Sequence, residues 1–387
     1  MKRLSFVVVA ILLLSMVLAA CKPAAADTIK IGLNAELTGG IPVVGESCRN
    51  AAELAIKEVN DAGGLEVGGK KYKIELTIED NEDKAESAAA ATQKLVTAGV
   101  LAMIGPNASR NAIPSSVVAE SAKMPMISPW STNPKTTVDA TTGLPKQFVF
   151  RAAFIDDFQG RVAAKFAIDN LKTTKPAVLY DVASEYNKGI AEFYKMTMEE
   201  NGIQVVAFET YTTGDKDFSS QLTKIKASGA DSLFLPNYYS EVPMQVQQAR
   251  KLGFTGNIVG SDSWGNLELI TLCGADCEGL FFTTHYATDI ATPKAQAFIS
   301  AYKGAYGSMP DDVAALTYDS FGLLFQAIQA AGKIIDRQAV RDAIAAVTSY
   351  EGVTGVMQFK GTGDPIKSAV IIQIKGGAFT YFTSAIP

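Results

Sequence analysis

The chain has 387 residues, 48% of them hydrophobic and 19% charged, with a formal net charge of −5 and a single histidine. That length allows two ordinary domains. The acidic balance argues against nucleic acid, which requires a basic face, and four cysteines are too few for a disulfide scaffold.

The opening segment, "MKRLSFVVVAILLLSMVLAAC", sets Lys2 and Arg3 before an apolar run from Phe6 to Leu18. The run has the length of a signal peptide and is short for a bilayer span. Leu18-Ala19-Ala20-Cys21 resembles the lipobox of bacterial lipoproteins. The resemblance implies a signal peptide over 1–20, cleavage before Cys21 and a lipid on its sulfur, the anchor being the chain's only membrane contact. An ordinary cut after an Ala-x-Ala site near Ala26 is the alternative. Either way the protein is expected to be exported, to the periplasm or the cell surface. Residues 21–27 read as a tether. The mature chain carries about −7, because Lys2 and Arg3 leave with the leader and no acid does. No second apolar run approaches membrane length.

Short apolar strands then alternate with amphipathic helices. "TIKIGLNA" (28–35) predicts the first strand. Ala52, Ala55, Ile56 and Val59 recur at helical spacing until Gly63-Gly64 stops them. Cys48 precedes that pattern and reads as a thiol at a helix start. "KYKIELTIED" (71–80) alternates as a strand, "AESAAAATQKLVTA" (85–98) is an alanine-rich helix, and "VLAMIG" (100–105) is a buried strand. A helix over 109–122 and the strand "MPMIS" complete a β-α-β-α-β-α-β order, which predicts a parallel sheet with helices on both faces. The pattern restarts after "KQFVFRAAF". Helices near 157–171, 187–201, 217–228 and 241–252 alternate with the strands "PAVLYDV", "QVVAFETY", "DSLFLP" and "NIVGS", giving a second doubly wound unit of similar size. In "CGADC", Cys273 and Cys277 either close a small loop as a disulfide or stand as two free thiols. Helices near 293–306, 312–331 and 336–347 and strands near 355–359 and 368–374 follow. They hold too few strands for a third domain, so the tail is expected to supply pieces to the first two.

In parallel sheets ligands bind beyond the carboxyl ends of the strands, where loops meet helix N-termini. Four strand-end motifs stand out: "GPNASRN" (105–111), "SPWSTNP" (128–134), "PNYYSE" (236–241) and "GSDSWGN" (260–266). Their residues suit a small zwitterion. Ser109 and Thr132 hydroxyls with free backbone N–H groups suit a carboxylate. The Asp262 carboxylate, a main-chain carbonyl near Trp130 and the Tyr238 hydroxyl suit an ammonium. Both charges can be buried only if each is paired. Taken singly, Ser109 and Asp262 are ordinary helix caps and Trp130 and Tyr238 ordinary packing; only convergence on one cleft makes them a site.

The blocks "IGLNAELTG", "NAAELAIKEVNDAGG", "ISPWSTNP", "SEYNKG", "NYYSEVPMQVQQARKLGF" and "GSDSWGN" resemble, in order and spacing, the periplasmic branched-chain amino-acid binding proteins. These are the type I solute-binding components of ABC importers. The resemblance runs from about Thr28 to the C-terminus. It implies two doubly wound parallel-sheet lobes joined by a three-strand hinge, 28–150 with 285–355 and 151–284 with 356–387. It implies a small-molecule ligand, an amino acid foremost, an ABC permease as partner, and no cofactor. It puts the ligand carboxylate on Ser109 and Thr132, with Ser131 in the same turn. The ammonium falls on the Trp130 carbonyl, Tyr238 and Asp262, and Tyr186 becomes a pocket tyrosine. Four departures bear on specificity. Asp262 stands where leucine-type members carry glutamate. Val44 stands where an aromatic is common. Trp130 is bulkier than the residue usual there, and Trp264 is an extra aromatic expected near the same mouth.

Enzyme readings find little support. The only histidine, His285, would have to serve any Ser-His or Cys-His site, and no serine sits in a G-x-S-x-G elbow. It reads as structural or solvent-facing. "GLEVGGK" (64–70) mimics a phosphate-binding loop but is followed by Lys71, not Ser or Thr, and joins helix to strand. No His/Cys cluster suggests a metal. Relatives of the fold that carry amides, urea-like compounds or aromatic carboxylates keep the ligand class open, and a sensor's ligand-binding component is a further alternative. A monomer is the default.

Overall fold

The computed structural model describes residues 27–386 apart from residue 334. The leader, the Cys21 lipidation site and the tether up to residue 26 lie outside the described residues. The first half builds a six-stranded sheet from β1 (Thr28–Ala35), β2 (Leu65–Val67), β3 (Lys70–Asp80), β4 (Ala102–Ile104), β5 (Met126–Ser128) and β6 (Val149–Arg151), in the order β2-β3-β1-β4-β5-β6. All neighbours are parallel except β2, which folds back on β3 as a hairpin. The phosphate-loop look-alike is therefore a hairpin turn. Between the strands run α1 (Pro42–Asp61), α2 (Ala85–Thr97) and α3 (Ser109–Ser121).

The second sheet takes its parallel strands from β7 (Pro176–Asp181), β8 (Ala207–Tyr211), β9 (Ser232–Leu235), β10 (Asn257–Gly260) and β11 (Phe281–Thr284). Its helices are α4 (Asp156–Asp169), α5 (Glu185–Glu200), α6 (Ser219–Ala227), α7 (Val242–Lys251) and α8 (Glu268–Cys273). The tail divides. Helices α9 (Pro293–Tyr306), α10 (Asp312–Ala331) and α11 (Arg337–Ala345) follow, and α10 packs along α1 and reaches β4 and β5. β12 (Ser349–Gly352), β13 (Gly355–Phe359) and β14 (Pro365–Ile366) form a small antiparallel sheet. β15 (Ala369–Lys375) joins β11 antiparallel, and β16 (Ala378–Ala385) closes that edge as a hairpin. The chain thus passes between the two large sheets after β6, after β11 and before β15. This is the type I periplasmic binding protein fold, α/β with two parallel-sheet lobes.

Local chemistry explains most boundaries. Pro42 occupies the first turn of α1, where a missing N–H costs nothing. Cys48 consequently lies well inside α1, fully buried, rather than at its start. Its small neighbours Ala51, Ala52 and Ala55 are buried too and let α10 approach closely. Asp311 caps α10 by accepting from the Ala314 N–H at 2.9 Å. Six strands are not predicted by the sequence: β2, β6, β11, β12, β14 and β16. β11 is a four-residue stretch, "FFTT", too short to show a period. β16 alternates apolar and polar but keeps a half-exposed face. Cys273 and Cys277 are bonded to each other beyond α8.

Candidate functional site

Strand ends from both sheets converge on one cavity. Asn107, Ala108 and Ser109 follow β4, Trp130 follows β5, Tyr238 follows β9, Asp262 follows β10, and Tyr186 lies in the first turn of α5. These seven residues enclose about 160 Å³, counted out to the open mouth. The space is narrow: the ring centroids of Trp130 and Tyr238 are 6.1 Å apart, and those of Tyr186 and Tyr238 are 5.5 Å apart.

Of the residues picked from the sequence, Ser109, Trp130, Tyr186, Tyr238 and Asp262 line this cavity. Ser131 and Thr132 are buried in the adjoining turn but do not line it. The Ser109 and Ser131 hydroxyls are 2.9 Å apart, and Ser131 reaches Thr136 Oγ1 at 2.7 Å. Helix α3 starts at Ser109 with no side-chain cap, which leaves its first N–H groups aimed at the cavity end of the helix. Trp264 is not at the mouth. Its indole lies flat on the Gly260 backbone, where a Cβ would meet the ring at 2.1 Å, and it donates to the Leu235 carbonyl at 3.1 Å. It is core of the second sheet, and Gly260 is what admits it.

The opposite wall is acidic. Asp262 Oδ1 accepts from the Tyr186 hydroxyl at 2.5 Å, and its Oδ2 lies 3.0 Å from Nε2 of His285. His285 is neither solvent-facing nor idle. It is buried, stacks on Phe154 at 3.8 Å between centroids, and burial pushes its pKa down to about 4. It is therefore neutral at pH 7 and donates through Nε2 to Asp262. Behind Trp130, the indole donates to Asp312 Oδ2 at 3.1 Å, and Thr284 Oγ1 donates to the same oxygen at 3.2 Å. Burial, then Asp311 and Asp262, hold the Asp312 carboxyl well above the usual range.

Three further residues shape the site without having stood out in the sequence. Glu36, fully buried after β1, accepts from the N–H groups of Asn107 (3.1 Å) and Ala108 (3.0 Å) and from Asn111 Nδ2 (3.0 Å) through Oε1. Its Oε2 accepts from Asn107 Nδ2 at 2.8 Å. It fixes the loop that delivers Ser109, and burial raises its pKa. Arg110 donates Nε to Asp83 Oδ1 at 2.7 Å and a second bond to Oδ2, and lays its guanidinium 4.9 Å from the Tyr238 ring centroid. That contact joins the first-sheet side to the second across the cavity mouth. Asp312 is the third, and only the fold brings it behind Trp130.

A family model described as periplasmic binding protein matches residues 28–378. The leucine-, isoleucine-, valine-, threonine- and alanine-binding protein of Pseudomonas aeruginosa is 32% identical over 341 residues, 88% of each chain. Among solved structures, the leucine-binding protein LivK of Thermotoga maritima is 34% identical with a TM-score of 0.86, covering 93% of this chain and 99% of the other. The branched-chain amino-acid substrate-binding protein LivJ of Streptococcus pneumoniae, in complex with isoleucine, is 32% identical with a TM-score of 0.85, covering 93% and 100%.

Proposed function

The chain belongs to the periplasmic binding protein family, and on that premise we propose that it captures a small amino acid, branched-chain or related, and hands it to the permease of an ABC importer. The family consists of extracytoplasmic ligand carriers, not enzymes. One observation carries the amino-acid reading. The Asp262 carboxylate, with a neutral histidine behind it, faces the uncapped start of α3 and the Ser109 hydroxyl across one cavity. Donors on one wall and a negative group on the other suit a zwitterion.

In this reading Ser109, Thr132 and the first N–H groups of α3 hold the carboxylate. Asp262, the Trp130 carbonyl and Tyr238 hold the ammonium, and Tyr186 orients Asp262. A monocarboxylate without an amine would bring a second negative charge against Asp262, which disfavours aromatic acids. Lobes of 28–150 with 285–355 and 151–284 with 356–387 open and close about the three crossings. Ligand held by one lobe gains contacts from the other only on closure, so it shifts the population to the closed form. Cys21 carries the lipid that holds the carrier, a monomer, at its membrane.

The test is a thermal-shift screen of protein refolded free of carried-over ligand, against amino acids, amides and aromatic acids. A small amino acid should raise the midpoint by several degrees at about 100 times its Kd. Stabilisation by an amide or aromatic acid alone would reject the amino-acid assignment. Mass spectrometry of membrane-derived protein tests the lipid on Cys21.

A further inference from the structure

The indole of Trp130 is a wall of the ligand cavity, and it is pinned from behind. Its N–H donates to Asp312 Oδ2 at 3.1 Å, and Thr284 Oγ1 donates to the same oxygen at 3.2 Å. Oδ1 accepts from the Val313 N–H at 3.0 Å in the first turn of α10. Trp130, Thr284 and Asp312 are all buried. Gly265 packs against the carboxylate: a Cβ there would meet Oδ1 at 2.6 Å and Oδ2 at 3.0 Å, so glycine is what admits the acid. Beyond Asp312 lies a second cavity, of about 240 Å³. Asp312 and Thr284 line it together with Phe282, Met309, Ile372 and Phe379, and Trp130 does not. The carboxylate therefore stands between the indole edge and a largely apolar space. On the ligand side the Trp130 ring lies 6.1 Å from that of Tyr238, and Tyr238 lies 5.5 Å from Tyr186. Both separations are within the contact range of aromatic pairs. Where the indole stands thus sets how far a ligand's side chain extends.

From this arrangement we infer that Asp312 determines side-chain specificity: by holding the Trp130 indole in place it closes the ligand cavity off from the apolar space behind, so that amino acids with small side chains are favoured over bulky ones. The inference rests on the amino-acid reading of the cleft. Asp312 does not line the ligand cavity; it is a positioning residue that acts through Trp130. A buried indole N–H that loses its acceptor is driven to find another, and turning to do so takes the ring off the wall. The two cavities then join. The gain falls to ligands whose side chains reach past the wall and bury apolar surface against Phe282, Met309, Ile372 and Phe379. An amino acid with a side chain too short to reach that space gains nothing from the change.

Isothermal titration calorimetry tests this with L-alanine, L-valine, L-leucine and L-phenylalanine, each titrated alone into wild type and three variants. Wild type should bind L-alanine more tightly than L-phenylalanine. Asp312→Ala should raise the affinity for L-phenylalanine relative to L-alanine about tenfold or more. Asp312→Asn should keep the wild-type ratio, because its amide oxygen still accepts on the side where the indole and Thr284 both donate. Gly265→Ala leaves the acid in the chain but sets a methyl where the carboxylate lies, and should move the ratio in the same direction as Asp312→Ala. A merely structural role would weaken all four ligands alike and leave the ratio unmoved. That result in Asp312→Ala, or in Gly265→Ala should the first variant not fold, overturns the inference and leaves the amino-acid reading standing. So does wild type that prefers L-phenylalanine, or an Asp312→Asn protein whose ratio moves as far as that of Asp312→Ala. Wild type that binds none of the four removes that reading and this inference together.

Discussion

Replacing Glu36 by alanine removes the acceptor for four donors at once: two backbone N–H groups of the 107–108 loop and the amides of Asn107 and Asn111. Each buried donor left unpaired costs about 1–3 kcal/mol. Against that sum stands the cost of burying Glu36 itself, visible in its raised pKa. The net loss should be about 3–5 kcal/mol, the range for breaking a buried charged network. Glu36→Gln is the informative control. Its amide oxygen still accepts from the backbone, and its new N–H₂ meets Asn107, whose own Oδ1 has no partner and turns to accept it by an amide flip. That variant should lose only about 1 kcal/mol. Urea unfolding gives the stabilities and calorimetry the ligand affinity, which should fall in Glu36→Ala as Ser109 loses its fixed position. The sign with pH is also set. A carboxyl raised in the folded state is most stabilising below 4.5 and loses that contribution as pH climbs through its folded pKa. Glu36→Gln should lack this decline. Equal damage from both substitutions, or none from alanine, refutes the view that Glu36 supports the loop.

Trp130→Ala should cost about 3–5 kcal/mol of stability and shift relative affinity toward bulkier side chains, measured by calorimetry across an aliphatic series; a uniform loss would mean the indole does not shape the pocket. His285 gives the opposite pH sign to Glu36. Its folded pKa of about 4 lies below the ordinary 6.5, so stability should fall by roughly 3 kcal/mol as pH drops from 6.5 to 4, and His285→Gln should lose that slope in urea titrations. Tyr186→Phe removes the hydroxyl that donates to Asp262 and should weaken amino-acid binding about tenfold. Cys48, buried with its thiol pushed up to about 12, should resist thiol reagents until the protein is unfolded.

Hydrophobic periodicity shows the two doubly wound units, because buried parallel strands and amphipathic helices write themselves into local sequence. The strand-end motifs were also visible, since Ser109, Trp130, Tyr238 and Asp262 each lie within five residues of the end of an apolar strand. What stayed hidden depends on long-range placement. His285 reads as an isolated residue after a four-residue strand, and only the pairing of β10 with β11 brings it to Asp262. Glu36 looks like any acid after a strand until α3 folds over it. Trp130 and Trp264 are the same residue type in similar serine-rich turns. One lines the cavity and the other fills the core, because Gly260 leaves a flat place for the second indole alone.

The most direct test is the calorimetric affinity of wild type and Asp262→Asn for an amino acid and for the hydroxy acid that lacks only its amine. The account predicts that the substitution weakens the amino acid by a few kcal/mol and leaves the hydroxy acid unchanged or tighter, because the acid at 262 faces the amine. Equal effects on both ligands, or no effect on either, would contradict a cleft that holds a zwitterion between Ser109 and Asp262.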